Sequence, residues 1–268
     1  MTDILIKKFI EKVKLESTYN KFLKKDIIYQ LISIFNRDYE KLTYTKKIKD
    51  PLEFALKFYK HYNNDYYSMI IEGLKNSNII ISQTLKKSFT DLDINVTYIK
   101  LIGDDSDIFI LVHELAHYID RNSTPMIIPS KYDFLGEVFS FYIEKQLEIW
   151  LDNDEYKNLI NIRRNNRMYY ESQMLEAIEY ELYCEKIYKE EGQITESSLS
   201  IDKVKTVMKY DTDGSVVNYL LRYPLANILS TYLINNSLIQ TDNEIYIKCL
   251  NINLYEVLNS YSEIKKLK

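Results

Sequence analysis

The segment DIFILVHELAHYID, residues 107–120, gives the strongest indication of the architecture of this chain. Its apolar residues return every three or four positions, which predicts an amphipathic helix. His113 and His117 are four residues apart on that helix. Their imidazoles therefore share one face and can bind the same metal ion. Glu114 follows the first histidine directly, close enough to act as general base toward a water molecule at the metal.

The sequence before this motif supports the helix. Residues 94–102 are rich in β-branched side chains and partly alternate in polarity, which predicts a strand. Residues 103–106, Gly-Asp-Asp-Ser, break the strand and offer helix N-caps. In this context the spacing predicts a zinc site of the kind found in metallopeptidases. The alternative is a surface helix in which two of the chain's three histidines match the spacing by coincidence.

A catalytic zinc usually has three protein ligands and one open position, so a third ligand is needed. Glu137 is the candidate, because it is the single carboxylate in the apolar turn FLGEVFS and buried carboxylates are rare unless paired or metal-bound. A capping box at 130–133 precedes its helix, and Gly136 is expected to let the two helices approach closely. The alternatives are an exposed Glu137, or His61 as the ligand.

Composition narrows the class of protein. The chain has 268 residues, 46% of them hydrophobic, and a formal net charge of −4, which supports a proper core and argues against nucleic acid as the main partner. Cys184 and Cys249 are far apart and are expected to be buried thiols in a reducing compartment. No apolar run has the length of a signal peptide or a membrane span. We expect a cytoplasmic protein without a membrane partner; its oligomeric state is left open.

Only five glycines and four prolines interrupt the chain, which favours long helices. The predicted fold class is mainly α with a small β-sheet, in a single domain over residues 1–268. It divides into a helical N-terminal part (1–75), a part with the sheet and the zinc-site helices (78–151), and a helical C-terminal part (152–268). Helices are predicted at 3–16, 18–36, 51–75, 154–192 and 216–235, with one more at the end.

Three segments carry a resemblance to a known family. The first is residues 98–117, where a strand, a glycine turn and a leucine precede the His-Glu helix. The second is GEVFS at 136–140, with Glu144 seven residues beyond Glu137. The third is SVVNYLLRYPLA at 215–226, and residues 174–193 match more weakly. Together these segments resemble the thimet oligopeptidase and oligoendopeptidase F family of zinc metallopeptidases.

The resemblance implies a short member of that family, consisting of the zincin-like catalytic core and acting on short or unfolded peptides. It implies Zn²⁺ as cofactor, with His113, His117 and Glu137 as ligands. Glu114 would be the general base, and the hydroxyl of Tyr219 or Tyr223 would stabilise the transition state. Ser140 and Asp120 are candidate hydrogen-bond partners of the ligating histidines, which usually donate their second N–H to an acceptor.

Other functions stay open. No histidine follows His117, whereas the family has one just before its tyrosines. A zinc-bearing peptide-binding or regulatory protein with weakened catalysis is therefore an alternative. A regulatory protease that cleaves a repressor is another, although such chains usually carry a DNA-binding segment and none is evident. Glu114 favours an enzyme, because a purely structural zinc site has no use for a general base.

Overall fold

The computed structural model describes residues 2–21, 23–35, 39–45, 47–123, 135–152, 155–210 and 215–266. In these ranges the chain is mostly helical with one small sheet, which confirms the predicted class at that level. The helices are α1 (Thr2–Glu16), α2 (Lys25–Phe35), α3 (Pro51–Tyr62), α4 (Asn64–Lys75), α5 (Asp107–Ser123), α6 (Val138–Trp150), α7 (Lys157–Glu191), α8 (Ile201–Met208), α9 (Val216–Asn235), α10 (Ile245–Asn251) and α11 (Leu254–Lys266). The strands are β1 (Ile79–Ser82), β2 (Phe89–Asp91) and β3 (Val96–Lys100).

The sheet leads directly into the helix that carries the two histidines. Strand β3 lies in the centre, parallel to β1 and antiparallel to β2. The chain then turns at Gly103, whose φ of 97° suits glycine. The buried Asp107 carboxylate accepts hydrogen bonds from the backbone N–H of Ile102 at 2.7 Å and of Gly103 at 2.8 Å. This junction ties the first turn of α5 to the end of the sheet.

The single helix predicted for residues 51–75 is wrong, because Asn63 divides it into α3 and α4. Asn63 has an extended backbone, with a φ of −156°. Its N–H donates to the last turn of α3, and its side chain accepts hydrogen bonds from the N–H groups of Asp65 and Tyr66. Asparagine is among the best N-cap residues, so one side chain both ends the first helix and starts the second.

The C-terminal half follows the predicted helices more closely. The long helix α7 ends at Gly192, whose φ of 73° gives the left-handed cap typical of glycine. Helix α9 has the predicted bounds of 216–235. Two helices, α10 and α11, replace the single final helix expected. One continuous apolar core extends from Phe9 in α1 to Leu258 in α11.

In the part of the chain that the structure describes, no helix combines the length and the apolar character needed to cross a lipid bilayer.

Candidate metal centre

Helices α5 and α6 bring three potential ligands together. His113 and His117 lie on one face of α5, and Glu137 lies in the short 3-10 turn at 135–137 that leads into α6. The Nε2 atoms of the two histidines are 3.1 Å apart. Each of these nitrogens is 3.2 Å from Glu137 Oε2. The predicted ligand set is therefore assembled as a near-equilateral triangle of donor atoms.

This triangle fits a tetrahedral zinc. Bond lengths of about 2.0–2.2 Å would hold the ligand atoms about 3.3–3.5 Å apart. Glu137 Oε2 is buried and accepts no well-oriented hydrogen bond from any residue described, although two imidazole nitrogens lie 3.2 Å away. Donor atoms that converge on a common point are what metal ligands require. Within the described ranges, no other group of three His, Cys, Asp or Glu side chains meets in this way.

The electrostatics of the triangle favour a cation. Burial lowers the pKa of His113, but the close contacts with Glu137 and Glu144 and the charges of both carboxylates outweigh it and raise that pKa to about 10. Burial raises the pKa of Glu137, but the neighbouring imidazoles of His117 and His113 hold it well below the ordinary value. Because zinc binds neutral imidazole, metal binding at this site would release a proton.

Glu144 lies behind His113 and orients its ring. This carboxylate is fully buried, and its Oε1 lies 2.7 Å from His113 Nδ1, which donates the hydrogen bond. Its Oε2 accepts from Arg163 at 3.1 and 2.7 Å and is also bonded by Arg167. With Nδ1 held in this way, Nε2 points at Glu137 and His117. Ligating histidines are typically positioned by such a carboxylate.

This role of Glu144 was missed in the sequence. In the sequence, Glu144 stands out only for its offset in the family resemblance, and Ser140 and Asp120 are the expected partners of the histidines. The available signal is the spacing of seven residues, about two helical turns, between Glu137 at the start of α6 and Glu144 within it, which predicts that both carboxylates lie on the same side. The pair Arg163 and Arg167, four residues apart on α7, is the matching cationic signal.

Ser140 and Asp120 lie near the site in other roles. Ser140 Oγ is 3.3 Å from His117 Nε2, the nitrogen that faces the triangle, and it donates to the Glu137 carbonyl at 3.0 Å. Asp120 accepts a hydrogen bond from the hydroxyl of Tyr246. Its charge interacts with that of His117. Tyr246 was not singled out in the sequence, and it joins α10 to the end of α5.

Gly136 does not have the role expected of it. A Cβ atom at Gly136 would meet nothing within 4 Å, so a close approach of two helices there does not require glycine. The tight contact is at Gly73 in α4, where a Cβ would lie 2.6 Å from the hydroxyl of Tyr118 and 2.8 Å from Ile79 Cδ1. The capping box expected at 130–133 lies outside the described residues.

The two candidate tyrosines are adjacent on α9. The hydroxyls of Tyr219 and Tyr223 are 3.2 Å apart, and both side chains are half-buried. Burial raises the pKa of Tyr223, and the negative charge of Glu137 raises it further, so this hydroxyl lies within electrostatic reach of the triangle. The charge of Glu137 also raises the pKa of Tyr246. Tyr219 packs with its ring beside the guanidinium of Arg222, 5.5 Å from the centroid.

The two remaining candidates, His61 and Glu114, lie in different surroundings. His61 is exposed on α3, where its ring lies 6.1 Å from that of Trp150, and it is not part of the triangle. Glu114 is half-buried beside His113 on α5. Its carboxylate has no hydrogen bond or ion pair to another residue that the structure describes. A carboxylate without a structural partner is available for proton transfer.

Comparison of the chain with family models, with curated proteins and with solved structures finds no match. The resemblance to thimet oligopeptidases therefore depends on the motif residues alone.

Proposed function

We propose that this protein is a zinc-dependent metallopeptidase that hydrolyses peptide bonds of short or unfolded peptides. The observation that carries the proposal is the convergence of His113, His117 and Glu137, next to Glu114, whose carboxylate has no ion pair among the described residues. The His-Glu helix, the downstream glutamate and the half-buried tyrosines are what a zincin-like catalytic core would need. The two free, buried cysteines, Cys184 and Cys249, agree with a reducing compartment, and we include a cytoplasmic location in the proposal.

Zinc held by the three ligands would lower the pKa of a water molecule and polarise the peptide carbonyl. Glu114 accepts the proton of the attacking water and delivers it to the leaving amine, which is the task of a general base that later acts as acid. Glu144 keeps the His113 ring in the orientation that directs Nε2 toward the triangle. The hydroxyl of Tyr223 or Tyr219 donates a hydrogen bond to the developing oxyanion.

The test is cleavage of a peptide library by the zinc-loaded protein, read by mass spectrometry with and without a chelator. Glu114→Gln should keep zinc and abolish hydrolysis, because the amide preserves shape but cannot accept the proton. Glu137→Ala should lose both zinc binding and activity. His61→Ala is the matched control, since it removes the one histidine that lies outside the triangle, and it should change neither property.

Three outcomes would count against the proposal. Normal turnover by a zinc-replete Glu114→Gln variant would show that Glu114 is not the general base. A requirement for His61 but not Glu137 in zinc titration would mean that the third ligand is misassigned. A wild-type protein that binds zinc and peptides but cleaves none of the library would support the alternative, a zinc-bearing peptide-binding protein.

A further inference from the structure

A separate cavity of about 610 Å³ lies between α6, α7, α9 and α11. None of the three metal ligands lines it, and its volume lies within the range typical of small-molecule sites. The walls combine charged side chains with apolar ones, including Lys145, Glu148, Ile149, Met168 and Ile234. The proposed peptidase chemistry uses none of these five residues, although Arg167, which binds Glu144, also lines the cavity.

Lys145 supplies a cation with spare hydrogen-bond donors. Its Nζ donates to Asn227 Oδ1 at 2.8 Å, and Asn227 donates in turn to Glu171 Oε2 at 2.8 Å, which fixes the amide with its oxygen toward the lysine. An ammonium group has three donors, and this acceptor is neutral. Burial lowers the pKa of Lys145 to about 8 and the charge of Arg167 contributes, although the charges of Glu148, Glu171 and Glu144 offset part of this effect. An anionic ligand group in the cavity would stabilise the charged form of Lys145, which burial disfavours.

Glu148 supplies an acceptor one turn along the same helix. Its Oε2 accepts from Arg164 Nε at 2.8 Å. Its Oε1 is buried and accepts no hydrogen bond from the residues described. A buried carboxylate oxygen in that state is costly unless a donor reaches it. Since Lys145 and Glu148 are three apart on α6, their side chains are neighbours and present a positive and a negative pole to one ligand.

The rest of the wall suits a hydrocarbon group. Ile149, Met168 and Ile234 come from three different helices and line the same cavity. Ile149 is 55% exposed, although it is a large apolar side chain. A ligand that covers it would remove apolar surface from water.

We propose that this cavity binds a free α-amino acid with an apolar side chain. The carboxylate pairs with Lys145, the ammonium group with Glu148, and the side chain packs on Ile149, Met168 and Ile234. A simple anion would leave Glu148 Oε1 without a donor, and a simple cation would leave the remaining Nζ donors of Lys145 without an acceptor. The two poles at neighbouring positions therefore select a zwitterion.

The experiment is calorimetric titration of the full chain with L-leucine, L-methionine and L-phenylalanine. Two analogues of leucine divide its charges: isocaproate keeps the carboxylate, and isoamylamine keeps the ammonium group. At least one amino acid should bind, and leucine should bind about tenfold or more tighter than either analogue, because each analogue leaves either the remaining Lys145 donors or Glu148 Oε1 without a hydrogen-bond partner. This comparison uses the wild-type protein and does not depend on the folding of a variant.

Two variants test whether Lys145 binds the carboxylate of the ligand and Glu148 its ammonium group. Lys145→Met and Glu148→Gln should each weaken amino-acid binding by about tenfold or more. The matched control is Lys157→Met, which removes the same charge from an exposed position of α7 outside the cavity and should bind normally. Melting temperatures verify that each variant is folded. Failure of all three amino acids to bind at millimolar concentration overturns the proposal. So does equal binding of isocaproate and leucine, or normal binding by both variants.

Discussion

At the scale of single side chains, the proposed metal centre depends on Glu144 as much as on its ligands. This carboxylate is fully buried and serves three partners at once: His113, Arg163 and Arg167. Burial raises its pKa, but the two guanidinium groups and the imidazole outweigh that effect and hold the pKa well below the ordinary value. Glu144 therefore stays ionised, and His113 keeps an anionic acceptor at Nδ1.

We expect Glu144→Gln to lower zinc affinity by about 10- to 100-fold, the usual loss when an orienting partner of a ligand is removed. It should also lower stability by roughly 3–5 kcal/mol, because Arg163 and Arg167 lose the charge that compensates their burial. Zinc competition with a chelator and urea unfolding measure the two effects. The control is Glu176→Gln, an exposed glutamate on α7. Unchanged zinc affinity in folded Glu144→Gln would show that Glu144 does not position His113.

The tyrosine pair on α9 gives a second prediction at this scale. Tyr223 is within reach of the charge of Glu137, so Tyr223→Phe should lower kcat by about 10²–10³ with little change in KM, zinc content or melting temperature. Tyr219→Phe should have a smaller effect, since its hydroxyl is 3.2 Å from that of Tyr223 and acts through it. Wild-type rates in both variants would assign oxyanion stabilisation to another donor.

At the scale of secondary-structure elements, the contact of α4 with α5 and the sheet keeps the His-Glu helix in place. Gly73 makes this contact possible, because the hydroxyl of Tyr118 on α5 and the side chain of Ile79 on β1 occupy the space that a Cβ would need. Tyr118 follows His117 directly. A displacement of α5 at this contact would therefore move a proposed ligand.

Gly73→Ala should destabilise the fold by about 1–3 kcal/mol, the usual cost of overpacking a close contact. Gly136→Ala is the matched control, since the same methyl group meets nothing within 4 Å there. Thermal unfolding of both variants checks the prediction. Equal melting temperatures for the two variants would mean that α4 shifts to accommodate the methyl group without cost.

At the scale of the whole molecule, a buried group of carboxylates joins the two ends of the chain. Glu16 at the end of α1 accepts a hydrogen bond from the N–H of Val216 at 2.9 Å, and it also binds Ser215 and Lys21. Glu181 on α7 lies in the same group, fully buried, and neither of its oxygens has a hydrogen bond within the described ranges. Burial, followed by the charge of Glu16, raises the pKa of Glu181 to about 8.

This raised pKa predicts that stability falls as pH rises. Between the ordinary value of 4.5 and about 8, the unfolded state has released the Glu181 proton and the folded state retains it, so each rise in pH favours unfolding. Glu181→Gln should remove this dependence and stabilise the protein at pH 8 by roughly 3–4 kcal/mol relative to its effect at pH 5. Urea denaturation at both pH values measures it. Glu179→Gln, exposed on the same helix, is the control, and an identical pH profile for the two variants would contradict the prediction.

Local sequence patterns were enough to predict the helical character of the chain, the strand before the His-Glu helix and the placement of His113, Glu114 and His117 on that helix. These features follow from periodicity and turn residues within a few positions of one another. The break at Asn63 was not predicted, because both flanking segments have helical periodicity and the capping role of a single asparagine does not show in that pattern. Glu137 was found because a lone carboxylate in an apolar turn is rare.

Which side chains from distant segments meet could be seen only in the folded chain. The donor atoms of Glu137 and the two histidines converge because α5 packs against the turn that starts α6. Two further features require helices that are distant in sequence to lie side by side. One is the pairing of Glu144 with Arg163 and Arg167, and the other is the cavity lined by Lys145 and Glu148. Local spacing indicates which residues share a helix face. The element that packs against that face depends on the packing of the entire core.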